Sequence, residues 1–199
     1  MVKKIDGISV NYIDEGKGDA VLLLHGWGAN ITLFDGIVKT LVSGHRVIAL
    51  DMPGFGKTPE PPVPWCVDDY VDFLIRFLDE LQLTEFSVIV HSFGGRVLFK
   101  INAIEGLPYV IRKAVLIDSA GILPQKTWKQ RCSLRIYKAA RAVMSTKILH
   151  FLYPDAVEDM RRKRGSADYN NATPLMRATL VKVVNEDLEP LISKINCPT

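Results

Sequence analysis

The stretch Ser87-Val88-Ile89-Val90-His91-Ser92-Phe93-Gly94-Gly95-Arg96-Val97 decides how the rest of this chain is read. An apolar run enters Ser92, and two glycines then open a stretch of helical pattern. A serine on a sharp strand-to-helix turn has its hydroxyl thrust clear of the sheet, at a helix N-terminus that favours developing negative charge. Such a turn is strained and needs small neighbours. Gly94 supplies the one on the helical side.

Outward from this turn, strand-like and helix-like segments alternate. Ile8–Ile13 reads as a strand after a Gly7 turn, and Ala20–Leu24, Arg46–Leu50, Phe86–Val90 and Ala114–Ile117 read as short apolar strands buried in a sheet. Between them, Leu33–Leu41, Val67–Leu81 and Gly94–Ile104 carry helical patterns. In the second of these, Val67, Val71, Leu74, Ile75, Leu78 and Leu81 share one face, and Asp68 and Asp69 stand in the first turn. The alternation predicts an α/β fold with a mostly parallel sheet.

After Gly121 the pattern changes. Residues 124 to 188 hold no strand pattern, but Ser133–Met144 and Pro174–Asn185 are helical in period, and polar Arg161–Asn171 reads as a loop. The organisation expected is therefore a core over 1–123, a helical insertion over 124–188, and a short return segment over 189–199. No internal repeat or low-complexity tract interrupts it.

Two further motifs follow strands. His25-Gly26-Trp27-Gly28 comes after Ala20–Leu24, and its glycines permit a turn that points a backbone N–H into a pocket. Asp51-Met52-Pro53-Gly54-Phe55-Gly56-Lys57-Thr58 comes after Arg46–Leu50. Open α/β sheets form their sites at such C-terminal strand ends. The order of these motifs, then His91-Ser92-Phe93-Gly94-Gly95, then Leu116-Ile117-Asp118-Ser119-Ala120-Gly121, then a helical insert, resembles the α/β-hydrolase superfamily. The insert resembles that family's cap, and Ile195-Asn196-Cys197-Pro198-Thr199 resembles the lead-in to its seventh strand.

The resemblance implies that Ser92 is the nucleophile and that the backbone N–H groups of Trp27 and Phe93 form the oxyanion hole. It implies substrate-binding positions at His25, Gly26, Gly28 and His91, and Asp118 stands where some relatives carry their acid. A serine nucleophile resembles that of esterases, lipases, peptidases and carbon–carbon bond hydrolases. It argues against haloalkane dehalogenases and epoxide hydrolases, which need a carboxylate.

The chain departs from the family pattern in two places. A small residue usually stands two before the nucleophile, and here Val90 should crowd the turn. The family's acid follows the seventh strand and its histidine the eighth, and the sequence stops at Thr199 before either. A serine without a base is a poor nucleophile near neutral pH. The expectation is thus a fragment lacking its last two strands, inactive alone, with Ala114–Ile117 left as an exposed apolar edge. Of the resident histidines, His91 should turn to the opposite face from Ser92, and His25 should order its loop by hydrogen bonding. His45 precedes a strand at the wrong end of the sheet, and His150 lies in the insert. Asp51 should form its turn by binding nearby N–H groups.

Bulk composition sets the outer limits. The 199 residues are 48% hydrophobic and 24% charged, ordinary for a globular chain with one sizeable domain. No apolar run is long enough to span a bilayer, and no apolar stretch follows Lys3 and Lys4 to make a signal peptide, which argues for a cytoplasmic protein. Cys66, Cys132 and Cys197 are widely spaced and odd in number, so neither a disulfide framework nor a metal site is expected, and no cofactor.

Net charge is +3, too small to call for nucleic acid, but it is uneven. Between Lys126 and Arg164 eleven basic residues face three acidic ones, so +8 stands there against −5 elsewhere. That surface is either a solvated helical face or an attractor of an anionic substrate, membrane or partner. The expected partner is a small ester or acyl substrate. A phosphate-cradling reading of Gly54–Thr58 fails because the pattern needs glycine at position 51, where Asp51 would repel phosphate. A second rival is a catalytically idle hydrolase fold that serves as a binding module through its basic insert.

Overall fold

A computed structural model describes residues 1–125, 127–146, 153 and 155–199, and of Glu158, Arg161 and Arg164 the backbone only. Lys126, Lys147 and His150 therefore lie outside the described residues. The chain divides into two compact units, Met1–Leu123 with Thr173–Thr199, and Pro124–Ala172.

The first unit is built on six strands, β1 Val2–Ile5, β2 Ile8–Glu15, β3 Asp19–Leu24, β4 His45–Leu50, β5 Glu85–His91 and β6 Val110–Ile117. They lie in the order β1-β2-β4-β3-β5-β6. β4, β3, β5 and β6 run parallel, while β1 and β2 are antiparallel additions at one edge. The parallel strands alternate with α1 Asp35–Leu41, α2 Val67–Glu80 and α3 Phe93–Ile101. From β3 the chain passes first to β4 on one side and later to β5 on the other. β3 is therefore the switch point, and the crevice beyond its end is where such sheets hold ligands.

Strand alternation distributes the core between two faces. Val21, Leu23, Val47 and Ala49 pack with Ile31, Phe34 and Val38 under α1. On the other face α2 buries Tyr70, Phe73, Leu74, Phe77 and Leu78, each at most 1% exposed, and Phe77 meets Tyr12 of β2 edge-on at 5.4 Å. Each such side chain contributes about 1.5–3 kcal/mol by burial. The start of α2 is set by Cys66, whose backbone N–H donates to the Asp69 carboxylate at 2.6 Å, with Asp68 and Asp69 complementing the helix dipole.

Several boundaries differ from the sequence expectation. β1 has no apolar run, because two of its four residues are lysines, yet it pairs with β2 across the Gly7 turn. The expected helix from Leu33 begins as a 3-10 turn at Ile31–Phe34, capped by Asn30, which accepts from the Thr32 N–H. α3 stops at Ile101 rather than 104. At the far edge, Val110, Val115 and Ile117 of β6 are exposed, and the Ala114 N–H donates to Pro198 O at 2.9 Å.

The return to the first unit comes at Thr173, not at 189. There α7 Pro174–Val184 is capped by Thr173 and buries Met176, Thr179, Leu180 and Val183. Thr179 Oγ1 accepts from the Trp65 N–H at 3.1 Å, and the Leu188 N–H donates to Gly121 O at 2.9 Å. The unit ends with the short α8 Glu189–Ile192.

The second unit holds α4 Trp128–Met144, α5 Ala156–Arg164 and α6 Ala167–Asn171. Two of these correct the expected loop at 161–171. Lys and Arg are good helix formers, and Ser166 caps α6 by accepting from the Tyr169 N–H at 3.2 Å.

Candidate active site

At the end of β5 the backbone of Ser92 turns to φ 45° and ψ −103°, a left-handed conformation that costs a non-glycine residue about 1–3 kcal/mol. Three main-chain bonds hold it there. The Ser92 N–H donates to Ile117 O at 3.1 Å, and Ser92 O accepts from the N–H groups of Gly95 and Ala120, each at 3.0 Å. The end of β6 and the first turn of α3 thus pin the bend from both sides. Val90 does not prevent it. Its side chain is fully buried in register between Leu24 and Leu116, and the bend forms two residues later.

The His25-Gly26-Trp27 turn leaves β3 directly beside Ser92. A β-carbon on Gly26 would stand 2.5 Å from His91 Nδ1 and 3.2 Å from the Ser92 β-carbon, so only glycine fits. His25 is wholly buried. Its Nδ1 lies 2.7 Å from Gly26 O, and its Nε2 accepts from the Met52 N–H at 3.0 Å. Those contacts require a neutral ring with the proton on Nδ1, and burial pushes its pKa below the ordinary histidine value. The expected loop-ordering role is therefore what the ring performs, and both nitrogens are committed, so none is left to a substrate. Gly28 lies exposed beyond the turn at φ 71°.

Asp51 fixes the third turn. Its carboxylate is 2% exposed and accepts from the Ile31 N–H, the Lys57 N–H and Asn11 Nδ2, each at 2.8 Å. It gathers β2, the 3-10 entry and the Gly54–Thr58 loop, as a turn-forming residue should, and Gly56 packs against it. With the loop closed on a carboxylate, a phosphate has no place in it.

An aromatic wall stands behind these turns. Phe55 meets Trp27 edge-on at 4.9 Å and His25 at 5.4 Å. Phe93 meets Tyr70 at 5.0 Å and Trp27 at 5.7 Å. Tyr70 donates to Pro53 O at 3.0 Å, and burial raises its phenol well above the usual range. Phe55 and Tyr70 were not singled out in the sequence. The available signals were an aromatic residue within the glycine loop and a tyrosine on the apolar face of α2.

The other candidates differ in where they stand relative to the bend. Asp118 is exposed at φ 45° in the turn between Ile117 and Ala120, both bonded to the Ser92 backbone, and it has no hydrogen bond or ion pair among the described residues. His45 opens β4 opposite Asp19, at the other end of the parallel strands. His91 is half-buried, with its Nδ1 against Gly26 and no partner for that atom. Instead of facing away from the site, its ring adjoins the His25–Trp27 turn. Ser119 Oγ is likewise buried without a partner, beside Gly95.

Among the described residues nothing hydrogen-bonds the Ser92 hydroxyl or the backbone N–H groups of Trp27 and Phe93. Phe93 opens α3, so its N–H has no acceptor within the helix. No group of three metal-ligating side chains comes together among the described residues. The arrangement offers a hydroxyl at a helix N-terminus with unused backbone donors nearby, suited to a group that gains negative charge.

Known proteins resemble this chain in sequence and in fold. Over 120 residues the chain is 33% identical to a serine hydrolase-like protein of Danio rerio, covering 59% of this chain and 36% of that one. Over 122 residues it is 35% identical to a 2-hydroxy-6-oxo-2,4-heptadienoate hydrolase of Pseudomonas putida, covering 58% and 43%. The matched region thus spans less than half the length of either relative. Among solved structures, a bromoperoxidase from Bacillus anthracis superposes on all of this chain and 79% of its own, with a TM-score of 0.71 at 23% identity. A family model described as the alpha/beta hydrolase fold matches residues 19–135, which run from β3 through the Ser92 bend into α4. With its switch point at β3 and its sharp turn between β5 and α3, the chain belongs to the α/β-hydrolase fold family.

Proposed function

We propose that Ser92 is the nucleophile of a serine hydrolase acting on an ester or related acyl substrate. The observation that carries this reading is the left-handed bend at Ser92, a strained conformation held by bonds from both neighbouring elements. Strain at a polar residue with an unengaged hydroxyl is better explained by chemistry than by packing. In the reaction, Ser92 Oγ attacks the acyl carbon and its proton passes to a base. Charge gathers on the carbonyl oxygen facing the N–H groups of Trp27 and Phe93, each donor being worth about 3 kcal/mol to the transition state. The bond to the leaving group breaks, that group takes a proton, and water then hydrolyses the Ser92 ester. The hydrolase names of the similar proteins support the reaction class.

The base and its acid partner belong, in this proposal, to a longer protein of which these residues are the nucleophile-bearing part. His25 has spent both nitrogens, His45 lies at the far end of the strands, and no described histidine bonds the Ser92 hydroxyl. The 199-residue chain alone should therefore turn over esters slowly or not at all. A fluorophosphonate probe tests both halves. It should label the protein made from its complete reading frame, and substitution Ser92→Ala should abolish the label. Absence of labelling in that protein supports the idle binding module instead, and fast unaided labelling of the 199-residue chain refutes the assignment of the base.

A further inference from the structure

The surface of the basic segment carries a feature of its own. Along α4, Trp128, Cys132, Ile136, Ala139 and Val143 recur at steps of four, four, three and four, which places them on one helical face. All five are exposed, Trp128 and Ile136 at 70% each, and α4 has no buried residue. By helical angle Lys129 borders this row on one side, and Arg135 and Lys138 border it on the other. Lys129 Nζ sits 6.0 Å from the centre of the Trp128 ring. Among the described residues, Lys129, Arg135, Lys138 and Arg141 form no ion pair. An apolar row left in water between unpaired cations is costly unless something apolar and anionic covers it.

We infer that the Pro124–Ala172 unit docks on anionic lipid surfaces through α4. A helix of this kind lies in the plane of the interface. Its apolar row enters the boundary of the acyl chains while flanking lysines and arginines reach back to the headgroups. The local excess of +8 supplies the long-range attraction. Nucleic acid offers the phosphates but no apolar layer to receive Trp128, Ile136 and Val143. No helix among the described residues is long and apolar enough to cross a membrane, so the contact is peripheral.

Co-sedimentation with vesicles tests this directly, using phosphatidylcholine alone and phosphatidylcholine mixed in equal parts with phosphatidylglycerol. The 199-residue chain should bind the mixed vesicles, with binding that weakens as salt is raised, and should leave the neutral ones in solution. Trp128→Ala and Ile136→Ser should each weaken binding about tenfold. Lys129→Gln, Arg135→Gln and Lys138→Gln should each weaken it about fivefold. These side chains are exposed, so melting temperatures should hold. Ser92→Ala should bind as the unaltered chain does, which separates this surface from the hydrolytic reading. No binding to the anionic vesicles at low salt, equal binding to both kinds, or indifference to the α4 substitutions overturns the inference.

Discussion

Gly26 presses against Ser92 so closely that a β-carbon on it would lie 3.2 Å from the serine's own β-carbon. The same added carbon would meet His91 Nδ1 at 2.5 Å, and backbone on this turn has little room to retreat because His25 anchors it to Met52. Gly26→Ala should therefore cost about 1–3 kcal/mol of stability by overpacking. It should also displace the Trp27 N–H from its station, slowing probe labelling of Ser92 more than the loss of stability explains. Urea denaturation and labelling rates on the same samples give the two numbers.

Ser92 itself should trade stability for chemistry. Glycine adopts a positive φ freely, so Ser92→Gly should raise stability by about 1 kcal/mol. Ser92→Ala keeps the β-carbon and with it the strain, so its unfolding midpoint should stay where it is. Equal midpoints for the two variants would show that the bend stores no strain.

Asp51 holds three segments at once, and its loss should be severe. Asp51→Ala leaves the buried N–H of Ile31 and the amide of Asn11 without an acceptor and opens the Gly54–Thr58 loop. The expected cost is about 3–5 kcal/mol, read as a shift in denaturation midpoint. The opposite holds for Ser119, whose buried hydroxyl has no partner. Ser119→Ala should be neutral or stabilising by up to about 1 kcal/mol.

His25 gives a pH signature with a definite sign. Its folded pKa lies below the ordinary histidine value of 6.5, because burial disfavours the charged ring. Below that value the unfolded chain binds a proton that the folded chain refuses, so stability must fall as pH falls through this window. Above it the contribution is fully present. Unfolding free energies measured from pH 7.5 downward should decline less steeply in His25→Gln than in the unaltered chain.

What the sequence made legible was local. The bend at Ser92 announces itself because apolar strand, serine and paired glycines must adjoin, and the same holds for the His25–Gly28 turn. The burial of Asp51 by Ile31 and Asn11 was invisible, since those partners lie on other elements and only the fold brings them together. β1 escaped notice because Lys3 and Lys4 interrupt its pattern, while antiparallel pairing to β2 needs no apolar run. The return at Thr173 was misplaced for a related reason. Met176, Leu180 and Val183 reveal a face that will be buried, but no helical period states which unit buries it. The wall of Phe55, Tyr70 and Phe93 depends on three elements converging and left only scattered aromatics in the sequence.

The most direct measurement supplies a base from solution. The 199-residue chain is mixed with a fluorophosphonate, imidazole is titrated in, and the adduct is mapped by tandem mass spectrometry. If the bend presents a working nucleophile, oxygen–phosphorus bond formation with loss of fluoride should accelerate with imidazole and fall on Ser92 alone. Modification spread over other serines, or a Ser92 that stays unlabelled at every imidazole concentration while the chain remains folded, would contradict it.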